Sequence, residues 1–186
     1  LVKFELMKEI PIMNIHTKRL LLVPLGPQYL LSAHKYASDF DNTRYMIHLP
    51  NTDISETESF LAGVQEEWEK CAPQFYEYAV LLNNEHIGAV SIYINEEDST
   101  KGELGWIISK DYWGNGYAVE AARGIIDFAI HELKVRKFIA HCDSENIGSY
   151  KVMEKLGMLL TSKTQGRRNK LSDEDREEWM YSLEIK

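Results

Sequence analysis

GELGWIISKDYWGNGYAVEAARGIIDFAIHELKVRKFIAHCDSENIGSYKVMEKLG, residues 102–157, is the stretch that decides how this chain folds. Residues 102–109 read as a strand. Trp113-Gly114-Asn115-Gly116-Tyr117-Ala118 follows as a turn that opens a long helix over residues 119–133. In that helix Val119, Ala122, Ile126, Ala129, Ile130 and Leu133 share a face, while Glu120, Arg123 and Asp127 point elsewhere. Residues 137–142 read as a second strand, and the helical crossover makes it parallel to the first. A second helix over 146–156 has Asn146 to cap it, Val152, Met153 and Leu156 as its apolar stripe, and Gly157 to close it.

A strand, a turn with two glycines and a helix start together favour an anion. First-turn N–H groups have no partner inside a helix, the helix dipole favours negative charge there, and glycine lets a phosphate approach the backbone closely. Two glycines alone are a weak signal, since helix ends and plain turns explain most such pairs. The strand before them and the helix after them carry the reading.

Outward from this unit, residues 20–23 form a strand stopped by Pro24 and Gly26-Pro27, and residues 29–37 suit a short helix. Ser55-Glu56-Thr57-Glu58 fits a capping box that opens a helix to about Glu69, with Phe60, Leu61, Val64 and Trp68 on one face. Strands follow at 76–82 and 86–94, joined by Asn83-Asn84, and a last strand carries Tyr181. The runs 166–170 and 173–178 read as a solvated loop. With no repeat or linker, residues 1–186 form one α+β (mixed α/β) domain.

A net charge of -8 and a pI near 5.3 argue against a nucleic-acid partner, whose phosphates call for a basic surplus. An acidic exterior favours a cationic amine instead. No apolar run approaches the ~20 residues that span a bilayer. The start, Leu1-Val2-Lys3-Phe4-Glu5, lacks the order of a signal peptide and does not reveal the true first residue. Cys71 and Cys142 have neither paired nor metal spacing, and the six histidines have no ligand spacing, so no metal is expected and a reduced, cytoplasmic setting fits. His141, beside Cys142, reads as a packed structural residue.

The turn at 113–118 resembles the pyrophosphate-binding motif Gln/Arg-x-x-Gly-x-Gly/Ala of the GNAT superfamily of acyl-CoA-dependent N-acyltransferases. Gly116 and Ala118 fit its last two positions, and Trp113 stands where Gln or Arg is commoner. Gly105-Trp106 and Glu120-Ala121 around the turn, Asn146-x-x-Ser149 with Glu154-Lys155-Leu156-Gly157, and Thr17-x-Arg19-Leu20-x-Leu22 are similar to the ribosomal-protein alanine N-acetyltransferase branch. The likeness covers about residues 15–184.

The resemblance implies a mostly antiparallel twisted sheet of about six or seven strands, splayed at its centre between two parallel strands and flanked by helices. It implies acetyl-CoA as co-substrate, its pantetheine arm along Ile107, Ile108 and Ser109 and its pyrophosphate on Trp113, Gly114, Asn115, Gly116, Tyr117 and Ala118. Asn146 and Ser149 would face that arm and the sulfur. Glu103 matches a position where such enzymes often carry a glutamate base, with Glu177 a weaker alternative. The usual acid, a tyrosine seven residues after the motif asparagine, is Met153 here. Ser149 is the substitute, while Tyr150 lies about 100° around the helix. The amine acceptor stays open between a protein N-terminus, a polyamine, an amino acid and an antibiotic, as does monomer against homodimer. Two rival readings are a non-catalytic acyl-CoA-binding module and a dinucleotide enzyme. Val119 at the third glycine position and the missing acid about 20 residues on disfavour the latter. Tyr45, Trp68, Tyr76 and Trp106 are candidates for an acceptor pocket or for core.

Overall fold

The computed structural model describes residues 13–186, so the reading of the first five residues lies outside the described residues. Its strands are β1 (Ile15–His16), β2 (Leu20–Pro24), β3 (Phe75–Leu82), β4 (Glu85–Ile94), β5 (Lys101–Ile108), β6 (Lys137–Asp143), β7 (Leu159–Arg167) and β8 (Arg176–Glu184). Its helices are α1 (Leu30–Ala37), α2 (Phe40–Thr43), α3 (Ile54–Trp68), α4 (Tyr117–His131) and α5 (Ile147–Lys155). The strands make one sheet in the order β1-β2-β3-β4-β5-β6-β8-β7, with β5 and β6 its one parallel pair among the described residues.

Eight strands stand where six or seven were expected. The two-residue β1 is too short to show a period. The side chains of β7 are almost all exposed, so it lacks the alternation that marks a half-buried strand.

Side chains alternate across the sheet, and each face has its own core. On one face α4 lays Ala121, Ala122, Ile125 and Ala129 over Leu22, Tyr78, Ile92 and Leu104. On the other, α1 and α3 lay Ala33, Tyr36, Leu61 and Val64 over Ala79, Leu81 and Ala89. Tyr76, Tyr78, Val90, Ile92 and Leu104 belong to the α4 core. The residues that alternate with them, Glu77, Ser91, Tyr93, Glu103 and Gly105, therefore face the α1–α3 side.

The cap of α3 is Asp53 with Glu56, two residues before the expected Ser55 and Glu58. Both pairs fit the same spacing. The earlier one wins a further contact, since Glu56 also meets Lys170 at 3.0 Å. Phe60 is exposed, and Thr57 takes the inward place, accepting from Asn51 Nδ2 at 3.0 Å. α4 begins at Tyr117, two residues before the expected 119.

The supposed solvated loop between β7 and β8 is partly buried. Asp143, fully buried at the end of β6, accepts from Arg176 Nε at 2.9 Å and Nη2 at 3.0 Å, and from Asn169 Nδ2 at 2.7 Å. Arg167 donates to Asn169 Oδ1 at 3.1 Å, to Glu178, and to the Tyr45 carbonyl at 2.9 Å. Burial alone would push the Asp143 carboxyl up, yet Arg176, the Glu145 amide and Asn169 hold it below the usual carboxylate range. A charge run in sequence hides this, because every partner of Asp143 outside its own turn lies far along the chain.

Candidate active site

β5 and β6 pair only through Lys101–Lys137, Gly102–Phe138 and Glu103–Ile139. β5 then stays with β4 as far as Ile108, and β6 stays with β8 as far as Asp143. Each strand has a full partner on its outer side, so the two halves of the sheet diverge from Leu104 onward without losing their ladders. Residues of both strands past that point line a cavity of about 1620 Å³. That exceeds the ~300–1,000 Å³ that holds one drug-sized ligand, which leaves room for two co-substrates.

α4 starts at one side of the gap. Gly114 and Gly116 have φ of +80° and +79°, a left-handed backbone that glycine adopts without strain. A Cβ on Gly114 would meet nothing within 4 Å, and one on Gly116 only the Arg19 guanidinium at 3.7 Å. Gly116 is the N-cap and offers no side-chain oxygen, whereas Asp53 caps α3 and Asn146 caps α5. The Glu120 amide bonds the Gly116 carbonyl at 3.1 Å. The N–H groups of Tyr117, Ala118 and Val119 precede it in the first turn, where a helix supplies no acceptor. Glu120 ties this turn to the start of β2, accepting from Thr17 Oγ1 at 2.7 Å and pairing with Arg19 Nε at 2.7 Å. The open space and free donors fit a diphosphate.

The expected site residues fall as follows. Glu103, Ile107, Ile108, Trp113, Gly114, Gly116, Tyr117, Ala118, Asn146 and Ser149 line the cavity together. Ser109 and Asn115 are not among the lining residues. Ser109 is buried with its amide on the Ile87 carbonyl at 2.8 Å, and the Asn115 side chain folds back onto the Tyr112 and Trp113 carbonyls at 3.1 Å. Trp113 fastens the turn to β5 by donating Nε1 to the Ile108 carbonyl at 2.7 Å, an oxygen that Asn42 Nδ2 also reaches at 2.7 Å. Asn146 Oδ1 accepts the Ser149 amide at 3.1 Å. Met153 is buried in the α4 core, and Tyr150 packs against Trp179. Glu177 accepts from Trp179 and Gln165 and lies off the cavity. Tyr45 and Trp106 line the cavity, whereas Tyr76 packs edge-on against Trp68 in the core.

Two lining side chains have no functional place in the sequence reading, where His141 stands as a packed structural residue and Glu77 goes unremarked. His141 sets Nδ1 at 2.8 Å from Glu103 Oε1, and that contact raises the imidazole above its ordinary range despite partial burial. The register carried the signal: Glu103 lies opposite Ile139, so His141 shares its face. Glu77 sits mid-strand in β3, 8% exposed, with Oε1 accepting from the Tyr93 hydroxyl at 2.8 Å. Burial pushes this carboxyl up to about 7 against the lowering effect of Tyr93 and Ser91. A lone carboxylate inside an apolar run was its signal.

The profile of the GNAT acetyltransferase domain matches residues 19–159. The chain is 34% identical over 148 residues to the uncharacterized N-acetyltransferase YnaD of Bacillus subtilis, covering 78% of this chain and 82% of the relative. Among solved structures, RimL, a ribosomal L7/L12 alpha-N-protein acetyltransferase in complex with coenzyme A, superposes with a TM-score of 0.80 at 16% identity, covering 95% of this chain and 97% of that one. The microcin C7 self-immunity acetyltransferase MccE, in complex with acetyl-CoA and AMP, gives 0.76 at 16% identity, covering 90% and 93%. At such identities the two structures speak for the fold. The profile and the Bacillus relative speak for more: the chain belongs to the GNAT family of acetyltransferases.

Proposed function

We propose that this protein, as one domain over residues 1–186, transfers acetyl from acetyl-CoA directly to a primary amine in the cytoplasm. The observation that carries the proposal is the uncapped, glycine-led start of α4 opening onto the same cavity as the β5–β6 gap and Glu103. Acetyl-CoA, when bound, supplies the thioester. The amides of Tyr117, Ala118 and Val119 hold its diphosphate, with the glycine turn at 114–116 giving them room. The free edge of β5 at Ile107 lies along the gap and suits the pantetheine arm. Ser149 is the hydroxyl that α5 turns to the cavity, and it orients the sulfur end. Glu103, in its pair with His141, is the base that takes the proton in the transfer. The nitrogen that attacks the thioester becomes positively charged as the new bond forms and must shed a proton, so a proton acceptor is required.

For the acceptor we favour the amino terminus of a peptide. The branch resemblance and the likeness in fold to RimL support it. Acetylation of free-amine peptides, amino-terminally blocked peptides and small amines, followed by release of free thiol, tests the reading. Turnover confined to free peptide N-termini is expected. Turnover of small amines alone overturns this choice of acceptor.

A further inference from the structure

We propose that Glu77, a carboxyl the GNAT motifs do not include, strips the first proton from the acceptor's ammonium group before attack, with Tyr93 as its positioning residue. The proposal rests on the amine-acetylation reading above and assigns a second group to that site.

The geometry begins with the register. Glu77 lies opposite Ser91, and Ser91 opposite Gly105, so the three form one row across β3, β4 and β5 on the α1–α3 face. Gly105 stands two residues past the last β5–β6 pair on that face, where the sheet has opened. It has no side chain, and a Cβ there would come within 2.7 Å of Ser91 Oγ. β5 therefore puts no side chain between the gap and Glu77; Ser91, which hydrogen-bonds the Glu77 carboxyl, is the one side chain of the row between them, and Glu77 lines the same cavity as Glu103. The Tyr93 hydroxyl holds one oxygen of the carboxyl at 2.8 Å.

The surroundings keep this group from being a spent ion pair. Its charge couples to Tyr36 from α1 and Tyr93 from β4, and Tyr93 in turn feels Glu103 from β5 and Glu67 from α3. Among the described residues no cation pairs with it. Such a carboxyl, held up to about 7 by burial, changes protonation at neutral pH, as an efficient base must.

The proton count calls for two acceptors. An ammonium loses one proton to become a nucleophile and another once the carbon–nitrogen bond has formed. In the transfer that bond forms, the carbon–sulfur bond breaks with its electron pair leaving on sulfur, and the nitrogen releases its protons first to Glu77 and then to Glu103. Stripping the ammonium inside the site lets the enzyme use the protonated acceptor, which for a peptide amino terminus of pKa near ~8 outnumbers the neutral amine by about 5- to 10-fold at neutral pH.

Retaining a buried, unpaired carboxyl works against the fold. A glutamate whose pKa is raised holds more protons folded than unfolded, so the folded state loses stability as pH climbs from its ordinary value near 4.5 through about 7.

The test is a pH profile of kcat/KM with thermal melts. Wild type should show an acid limb near 7. Glu77→Gln should remove that limb and cut turnover by about 10²-fold or more. Tyr93→Phe, which deletes a contact that lowers the carboxyl, should move the limb up. His141→Gln should leave it in place. Glu77→Gln should also melt higher than wild type at pH 8, with the gap closing towards pH 5. A limb that follows His141, or a Glu77→Gln variant that turns over normally, overturns the proposal. Should wild type acetylate nothing in the panel, the acceptor reading fails on its own. A 13C NMR titration of Glu77 with acetyl-CoA bound then decides this one: a pKa near 7 that rises in Tyr93→Phe supports it, and an ordinary carboxylate value overturns it.

Discussion

Where α4 begins, the cavity is walled by backbone: two left-handed glycines and the unpaired amides after them. Across the cavity, where β3 to β6 turn one face towards α1 and α3, it is walled by side chains: Glu77, Ser91, Glu103 and His141, one from each strand. The difference matches the two chemical tasks that the proposed function assigns to the walls. A diphosphate is recognised by donors that every residue carries, so that wall needs a conformation and tolerates Trp113 in place of a commoner residue. Proton transfer from an amine needs particular groups at particular pKa values, so the other wall depends on the identity of each side chain. One wall should break when its backbone is altered, the other when single atoms are exchanged.

The largest expected effect belongs to the side-chain wall. Glu103→Gln should lower turnover by about 10²–10⁴-fold while acetyl-CoA affinity stays within about twofold; steady-state kinetics with calorimetry checks both. Next comes the frame that the two walls share. Asp143→Ala removes the anion on which Arg176 and Asn169 converge, and breaking a buried pair costs about 3–5 kcal/mol. Because the Asp143 carboxyl is held low, its contribution is present above the ordinary carboxylate range and lost as pH falls through its depressed titration. The deficit of the variant in denaturant melts should therefore shrink in acid.

For the backbone wall, Gly116→Asp would put a carboxylate and a strained left-handed residue at the α4 start. Loss of one or two charge-assisted hydrogen bonds, each about 1.5–3 kcal/mol, weakens acetyl-CoA by about 10- to 100-fold or more. The matching change at a capped helix sharpens the contrast. Asp53→Ala should cost about 0.5–2 kcal/mol of stability and leave acetyl-CoA affinity unchanged. The smallest effect is that of His141→Gln on stability, below about 1 kcal/mol because Glu103 is half exposed. A raised histidine stabilises below its unfolded pKa and loses that contribution as pH rises through its folded one, so this difference should fade at alkaline pH.

The same division separates what was legible in sequence from what was not. The unit from β5 to α5 was readable because its signals are local: apolar periods, two glycines, Asn146 as a cap. The parallel pair followed from the helical crossover between its strands. The cap of α3 was misplaced by two residues because Asp53-x-x-Glu56 and Ser55-x-x-Glu58 overlap. β7 was missed because its side chains lie in solvent. Arg167 and Asn169 were read as solvated because their partners Tyr45 and Asp143 are distant in the chain. His141 and Glu77 acquire meaning only through neighbours on other strands, so their roles emerge with the register. Periodicity could place the backbone wall; only the folded sheet could assemble the other.

The central claim is that the first amides of α4 receive the diphosphate beside the β5–β6 gap. Titration of acetyl-CoA into 15N-labelled enzyme reads those amides one by one. The account predicts that Tyr117, Ala118 and Val119 shift most, with Ile107 moving alongside them, and that pantetheine lacking the diphosphate leaves the three helix amides still. Saturable binding of acetyl-CoA with those amides unmoved would contradict it.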